Sequence, residues 1–187
     1  MNTSLKYGLI GGLTYIILQM MLYLIDSSLL FSGIGVIASV IILILILVLC
    51  CYYAIRTKRK GLGGFINFKG AFTEAFLAVV MISVLMNVFN YILYAFIDPA
   101  LEEQLKEFTI NSYAGWMEGS MPEEQFEEFI ENMEDQVAVT PLNTLKGIAT
   151  FILFGAIIGA ITSYIMKKED PEEAYIAAQE QNDTLNL

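Results

Sequence analysis

Carboxylates are the most abundant reactive groups in this chain. Twelve of them, with only two lysines, lie between Asp98 and Lys146. That segment carries a net charge of −10, equal to the whole-chain formal value, so the rest of the chain is formally neutral. Acid–base chemistry needs such a group beside a partner base or a metal, and no carboxylate here pairs with either. Histidine is absent, which removes the commonest zinc ligand, the commonest general base and the usual triads. The carboxylates do not follow EF-hand spacing, so they read as a solvated acidic face. The thiols Cys50 and Cys51 are adjacent in an apolar run. Neighbouring helical residues point apart and do not bridge, so both read as small apolar side chains. Phosphate loops, HExxH and CxxC patterns are absent. The expectation is no catalytic residue, no cofactor and no metal: the chain is not read as an enzyme.

The charges are sparse and blocked. Hydrophobic residues make up 56% of the chain and charged residues 16%, against about a quarter charged in soluble domains. Residues 7–25, 27–55, 75–97 and 147–166 are uncharged runs of 19, 29, 23 and 20 residues. A hydrocarbon core of ~30 Å needs about 20 helical residues, so all four qualify. The expected transmembrane helices are 7–25, 34–55, 74–97 and 145–166. The second run starts late because Ser32, Gly33 and Gly35 break its beginning. The first run exceeds a signal-peptide core and lacks a small-x-small cleavage site, so it is read as a retained span. Glu74 is expected at the N-terminus of the third helix, where the macrodipole favours negative charge.

Eight of the ten basic residues fall on one side of this arrangement: Lys6, Arg56, Lys58, Arg59, Lys60, Lys69, Lys167 and Lys168. The positive-inside rule makes that side the cytoplasm. Both termini are then cytoplasmic, in a bacterial inner membrane. Arg56, Lys58, Arg59 and Lys60 act first as a topology signal and second as attraction for anionic lipid headgroups.

Residues 98–140 are then outside. Asp98-Pro99 ends the third helix. Leu101, Leu105, Phe108 and Trp116 recur at helical spacing. Ser120-Met121-Pro122-Glu123 fits a capping box. Phe126, Phe129, Ile130, Met133 and Val137 then share one face, and Glu124, Glu127, Glu128, Glu131 and Asp135 the other. Thr140-Pro141 opens the last helix with a cap and a first-turn proline. The fold class expected is all-α: an integral membrane four-helix bundle with an extracytoplasmic amphipathic helical hairpin between helices 3 and 4. Residues 1–168 form the transmembrane domain with this hairpin, and 169–187 form a polar cytoplasmic tail with a short helix over 172–180.

Two further patterns position side chains inside the membrane. Gly8 and Gly12, and Gly155, Gly159 and Ser163, recur at four-residue spacing, the GxxxG pattern that lets helix backbones approach in lipid. They serve packing within the bundle, with a homodimer face as the sharper alternative. Ser83, Asn87, Asn90 and Tyr94 make a polar stripe on the third helix, and Tyr15, Gln19, Tyr23 and Asp26 one on the first. Gln19 is expected to bond Asn87 or Asn90 across the bundle. No ionisable side chain sits at mid-membrane, which weighs against proton-coupled transport.

Several short motifs follow one another in a distinctive order. Lys6-Tyr7-Gly8-Leu9-Ile10-Gly11-Gly12 begins the first helix. A basic turn follows through Gly63-Gly64-Phe65-Ile66-Asn67-Phe68-Lys69-Gly70-Ala71-Phe72. Asn90-Tyr91 and Ile97-Asp98-Pro99 end the third helix, before a charged hairpin and a glycine-bearing last helix. This resembles the bacterial membrane-protein family called domain of unknown function 4199, found mostly in Bacteroidota, over nearly the whole chain. The resemblance implies a four-helix inner-membrane protein and carries no activity or catalytic residue. The expected function is therefore non-enzymatic: an accessory or interaction protein using the acidic hairpin. The second reading is a small oligomeric transporter or channel using the polar stripes. Expected partners are the lipid bilayer, a membrane or periplasmic protein, and a second copy of the chain, with no nucleic acid.

Overall fold

The computed structural model describes residues 2–117 and 122–169. The Trp116 side chain, the Ser120 cap and the helix expected over 172–180 lie outside the described residues. Among those described, every regular element is helical: α1 (Thr3–Ile25), α2 (Gly33–Gly61), α3 (Phe68–Ile92), α4 (Ala100–Met117), α5 (Glu123–Val137) and α6 (Pro141–Met166). A 3₁₀ turn spans Ser27–Phe31, and a π-helical turn extends α3 over Leu93–Ile97. Four of these helices, α1, α2, α3 with its π turn, and α6, are long and apolar enough to cross a membrane. The chain is a multi-pass membrane protein.

Local chemistry sets the boundaries. The Asp26 carboxylate accepts from the Ser28 amide at 2.9 Å and caps the 3₁₀ turn. Hydrogen bonds from the Ser28 side chain and backbone hold that carboxyl below its ordinary range. The Ser32 hydroxyl accepts from the Gly35 amide at 3.0 Å and starts α2. Gly63 and Gly64, at φ 78° and 99°, turn the chain after α2 in a region that disfavours side chains. Asn67 Oδ1 then accepts from the Gly70 amide at 2.8 Å, so α3 begins at Phe68. Glu74 consequently lies well inside α3, whose first turn holds no acid, and the end-of-helix role expected for it does not apply. Thr140 caps α6 by accepting from the Asn143 amide at 3.1 Å.

The chain divides into two compact units, each drawing segments from the four long helices. The first takes Met1–Gly11, Leu45–Ile82 and Ile152–Leu187. Its core is Cys51, Ala54, Ile55, Ala71, Ala75, Ala78, Val79 and Ile82, all fully buried. Small residues dominate because helices in lipid associate through close backbone contact rather than by hiding apolar surface. The second takes Gly12–Ile44 and Ser83–Phe151. Its core gathers Leu30, Leu93, Tyr94 and Leu101, with Leu105 and Val139 against them. The outward apolar residues of α2 and α6, such as Ile34, Ile37, Phe154 and Ile165, are the natural lining toward lipid tails.

Candidate functional site

The α4–α5 hairpin is held by several independent ties within its unit. Fully buried Leu101 fixes the start of α4, a burial worth about 1.5–3 kcal/mol. Asp98 both accepts from the Tyr23 hydroxyl at 3.2 Å and bonds the Ala100 amide at 3.2 Å. The Glu102 carboxylate accepts from the Val139 amide at 3.1 Å and pairs with Lys106 at 3.4 Å, tying the start of α4 to the chain just past α5. The Asn143 side chain donates to the carbonyls of Asp135 and Ala138, at 2.7 and 2.9 Å. It thereby serves carbonyls that α5 cannot satisfy itself.

On this support α5 is split as its sequence predicts. Phe126, Phe129, Ile130, Met133 and Val137 are half-buried, while Glu124, Glu127, Glu128 and Glu131 are exposed. An open groove along the hairpin is lined by Glu103, Lys106, Glu107, Ile110, Asn111 and Glu134. Lys106 is the one cation in that lining. Among the described residues no cluster of acids could hold a metal ion.

The intramembrane polar side chains pair differently from expectation. Gln19 lies beside the Tyr94 hydroxyl, and Asn90 beside the Tyr15 hydroxyl. Asn87 donates to the Ser83 carbonyl of its own helix at 2.9 Å, and Ser83 donates to the Ile148 carbonyl at 3.0 Å. Among the described residues no hydrogen bond joins Gln19 to Asn87 or Asn90, since Asn87 turns to its own helix. Asn87 instead fills the space left by Gly147, where an added Cβ would sit 2.7 Å from its Oδ1. Asn90 Oδ1 is buried without a partner. A narrow cleft nearby is lined by Tyr15, Leu18, Gln19, Leu22, Ser39 and Ile42.

The glycine rows serve contacts within the chain. A Cβ on Gly8 would meet Met81 Cβ at 2.6 Å, and one on Gly12 would meet Leu85 Cδ1 at 2.5 Å. A Cβ on Gly155 would clash with Val79, whereas one on Gly159 would rest 3.5 Å from Ala75 Cβ. Ser163 is fully buried and donates to the Gly159 carbonyl at 2.6 Å.

Sequence reasoning missed a polar cluster in the first unit. Glu74 is buried; the Ser4 hydroxyl donates to it and Lys58 pairs with it at 3.2 Å. The signal was present: Ser4 continues the row of Gly8 and Gly12 at four-residue spacing, so a third small residue faces α3. The basic run also divides. Lys58 is engaged by Glu74, and Arg59 donates to the Met166 carbonyl at 3.0 Å, while Arg56 and Lys60 are exposed.

Neither a curated protein nor a solved structure matches the chain. Residues 6–168 match the model of a protein family described as "Protein of unknown function (DUF4199)". That match takes in all four candidate spans almost from end to end, together with the hairpin, and the chain belongs to this family.

Proposed function

We propose that this chain is a non-enzymatic accessory protein of a bacterial inner membrane, with both termini cytoplasmic and the α4–α5 hairpin as its contact surface. The observation that carries this reading is the mounting of the hairpin. Buried Leu101, the Glu102–Val139 bond and the Asn143 cap hold it, while four glutamates of α5 stay exposed. An acidic face on a fixed support gives a basic partner both steering and a defined register.

A transporter or channel is the second reading, favoured by the orphaned Asn90 Oδ1 and the cleft beside Gln19. Against it, Ser83 and Asn87 already donate to the carbonyls of Ile148 and Ser83.

One pair of variants separates the two. Changing Glu124, Glu127, Glu128 and Glu131 together to Gln should abolish a stoichiometric partner co-purified from native membranes. Thermal stability should change little, since these side chains are exposed. Asn87→Leu with Asn90→Leu should retain the partner and lower stability by roughly 1–2 kcal/mol, as typical for interhelical bonds. A well-folded double variant that keeps its partner but loses a solute-dependent growth phenotype would overturn the accessory reading.

A further inference from the structure

The basic residues of the first unit do more than mark a topology. Two chain segments more than a hundred positions apart are stitched together at the ends of α2 and α6. Ile66 and Lys168 exchange both backbone hydrogen bonds, at 2.8 and 2.9 Å. Arg59 reaches the last carbonyl of α6 at Met166, 107 residues away in sequence. Around these ties lies a basic collar in which Arg56, Lys60, Lys69, Lys167 and Lys168 are exposed. Of these only Lys167 meets a carboxylate among the described residues, at 3.5 Å from solvent-exposed Glu169.

The cations sit beside aromatic rings. Arg56 lies 5.8 Å from the Tyr52 ring, Lys167 5.1 Å from Tyr164, and Lys168 5.2 Å from Phe65. Exposed apolar side chains lie within two residues of these cations along the chain: Leu62 at 53%, Phe68 at 40% and Ile165 at 75%. A surface that satisfies this collar must therefore present negative charge and, directly alongside, hydrocarbon. A soluble anion or an acidic protein offers the first without the second. A phospholipid offers both in that order, with tyrosine at the boundary where interfacial aromatics belong.

We propose that this collar is a binding surface for anionic phospholipid headgroups, with Arg56, Lys60, Lys69 and Lys168 as its contact residues. Lys58 and Arg59 do not belong to the contact set, because Glu74 and the Met166 carbonyl already engage them. They build the surface on which the other four stand. The lipid phosphates would sit against these four cations, and the acyl chains against Leu62, Phe68 and Ile165.

The full-length protein is reconstituted in vesicles of phosphatidylcholine containing spin-labelled phosphatidylglycerol or spin-labelled phosphatidylcholine. The motionally restricted fraction of each label reports its relative association with the protein. The wild type should prefer phosphatidylglycerol by roughly fivefold or more, the factor that a single engaged cation supplies near a membrane surface. The preference should shrink as salt is raised. Changing Arg56, Lys60, Lys69 and Lys168 together to Gln should bring it close to unity with helicity unchanged. If that variant fails to fold, Lys60→Gln and Lys168→Gln alone should each reduce the preference. Equal association of the two labels with the wild type, or an undiminished preference in the variants, would overturn the proposal. So would displacement of labelled phosphatidylglycerol by millimolar inorganic phosphate, which would mark a site for free anions.

Discussion

Glu74 shows how far one residue's surroundings can change its meaning. By position alone it reads as a charge at a helix end. Asn67 caps α3 earlier, so the carboxylate is carried inward and needs partners, because a buried charge without compensation is costly. Ser4 and Lys58 supply them, from α1 and α2. Lys58 is 43% exposed at its side chain and Glu74 only 7%, so water weakens the pair from one side and its worth falls below that of a fully buried one. Lys58→Met should lower stability by about 1–2 kcal/mol, chiefly by stranding Glu74. Glu74→Leu in the same chain should recover part of that loss. The check is a double-mutant cycle by thermal unfolding in detergent, where additive losses would show that the two side chains do not act together. Nothing in the local sequence around Glu74 indicates Ser4, seventy residues away; only the small-residue row on α1 pointed to that face.

Elements were more legible than their partners. Uncharged runs mark all four long helices because lipid tolerates no scattered charge, and α5 shows its two faces because 3.6-residue periodicity survives in the sequence. What the pattern does not carry is which side chain wins when several can reach the same amide. Asn87 instead turns to the Ser83 carbonyl of its own helix. The glycines show a similar gap. GxxxG spacing treats Gly155 and Gly159 alike, yet Val79 presses on the first and Ala75 leaves room beside the second. Gly155→Ala should cost about 1–3 kcal/mol, the usual penalty for overpacking a filled site around a stiff β-branched neighbour. Gly159→Ala should fall within about 0.5 kcal/mol of wild type. Thermal unfolding of the two single variants decides this, and equal losses would mean that the α3–α6 contact is not the one described.

For the whole molecule, orientation follows from the distribution of charge. Eight basic residues fall near the start of α1, around the α2–α3 connection and just after α6, and twelve acids in the connection between α3 and α6, which predicts the hairpin outside and the collar inside. In a background with Cys50 and Cys51 replaced, a cysteine at position 120 should react with an impermeant maleimide on intact cells. One at position 60 should react only after the membrane is opened. The reverse pattern would place the acidic face in the cytoplasm and end the proposal that it meets a periplasmic partner.

The π turn at the end of α3 has a consequence for how this chain can vary between relatives. The Asp98 amide reaches back five residues to the Leu93 carbonyl at 2.8 Å, so the turn holds one residue more than an α-helix would need there. It is, in effect, an insertion absorbed without breaking the helix. Everything before it keeps its phase: Ser83, Asn87 and Asn90 stay on their faces. Everything after it is rotated by about 100°, one residue's share of a helical turn. That rotation aims Asp98 at Tyr23 and lets Leu101 enter the cluster of Leu30, Leu93 and Tyr94. A descendant that lost a single residue between 93 and 97 would keep its membrane helices and their hydropathy. It would nonetheless carry the whole acidic hairpin on a different heading.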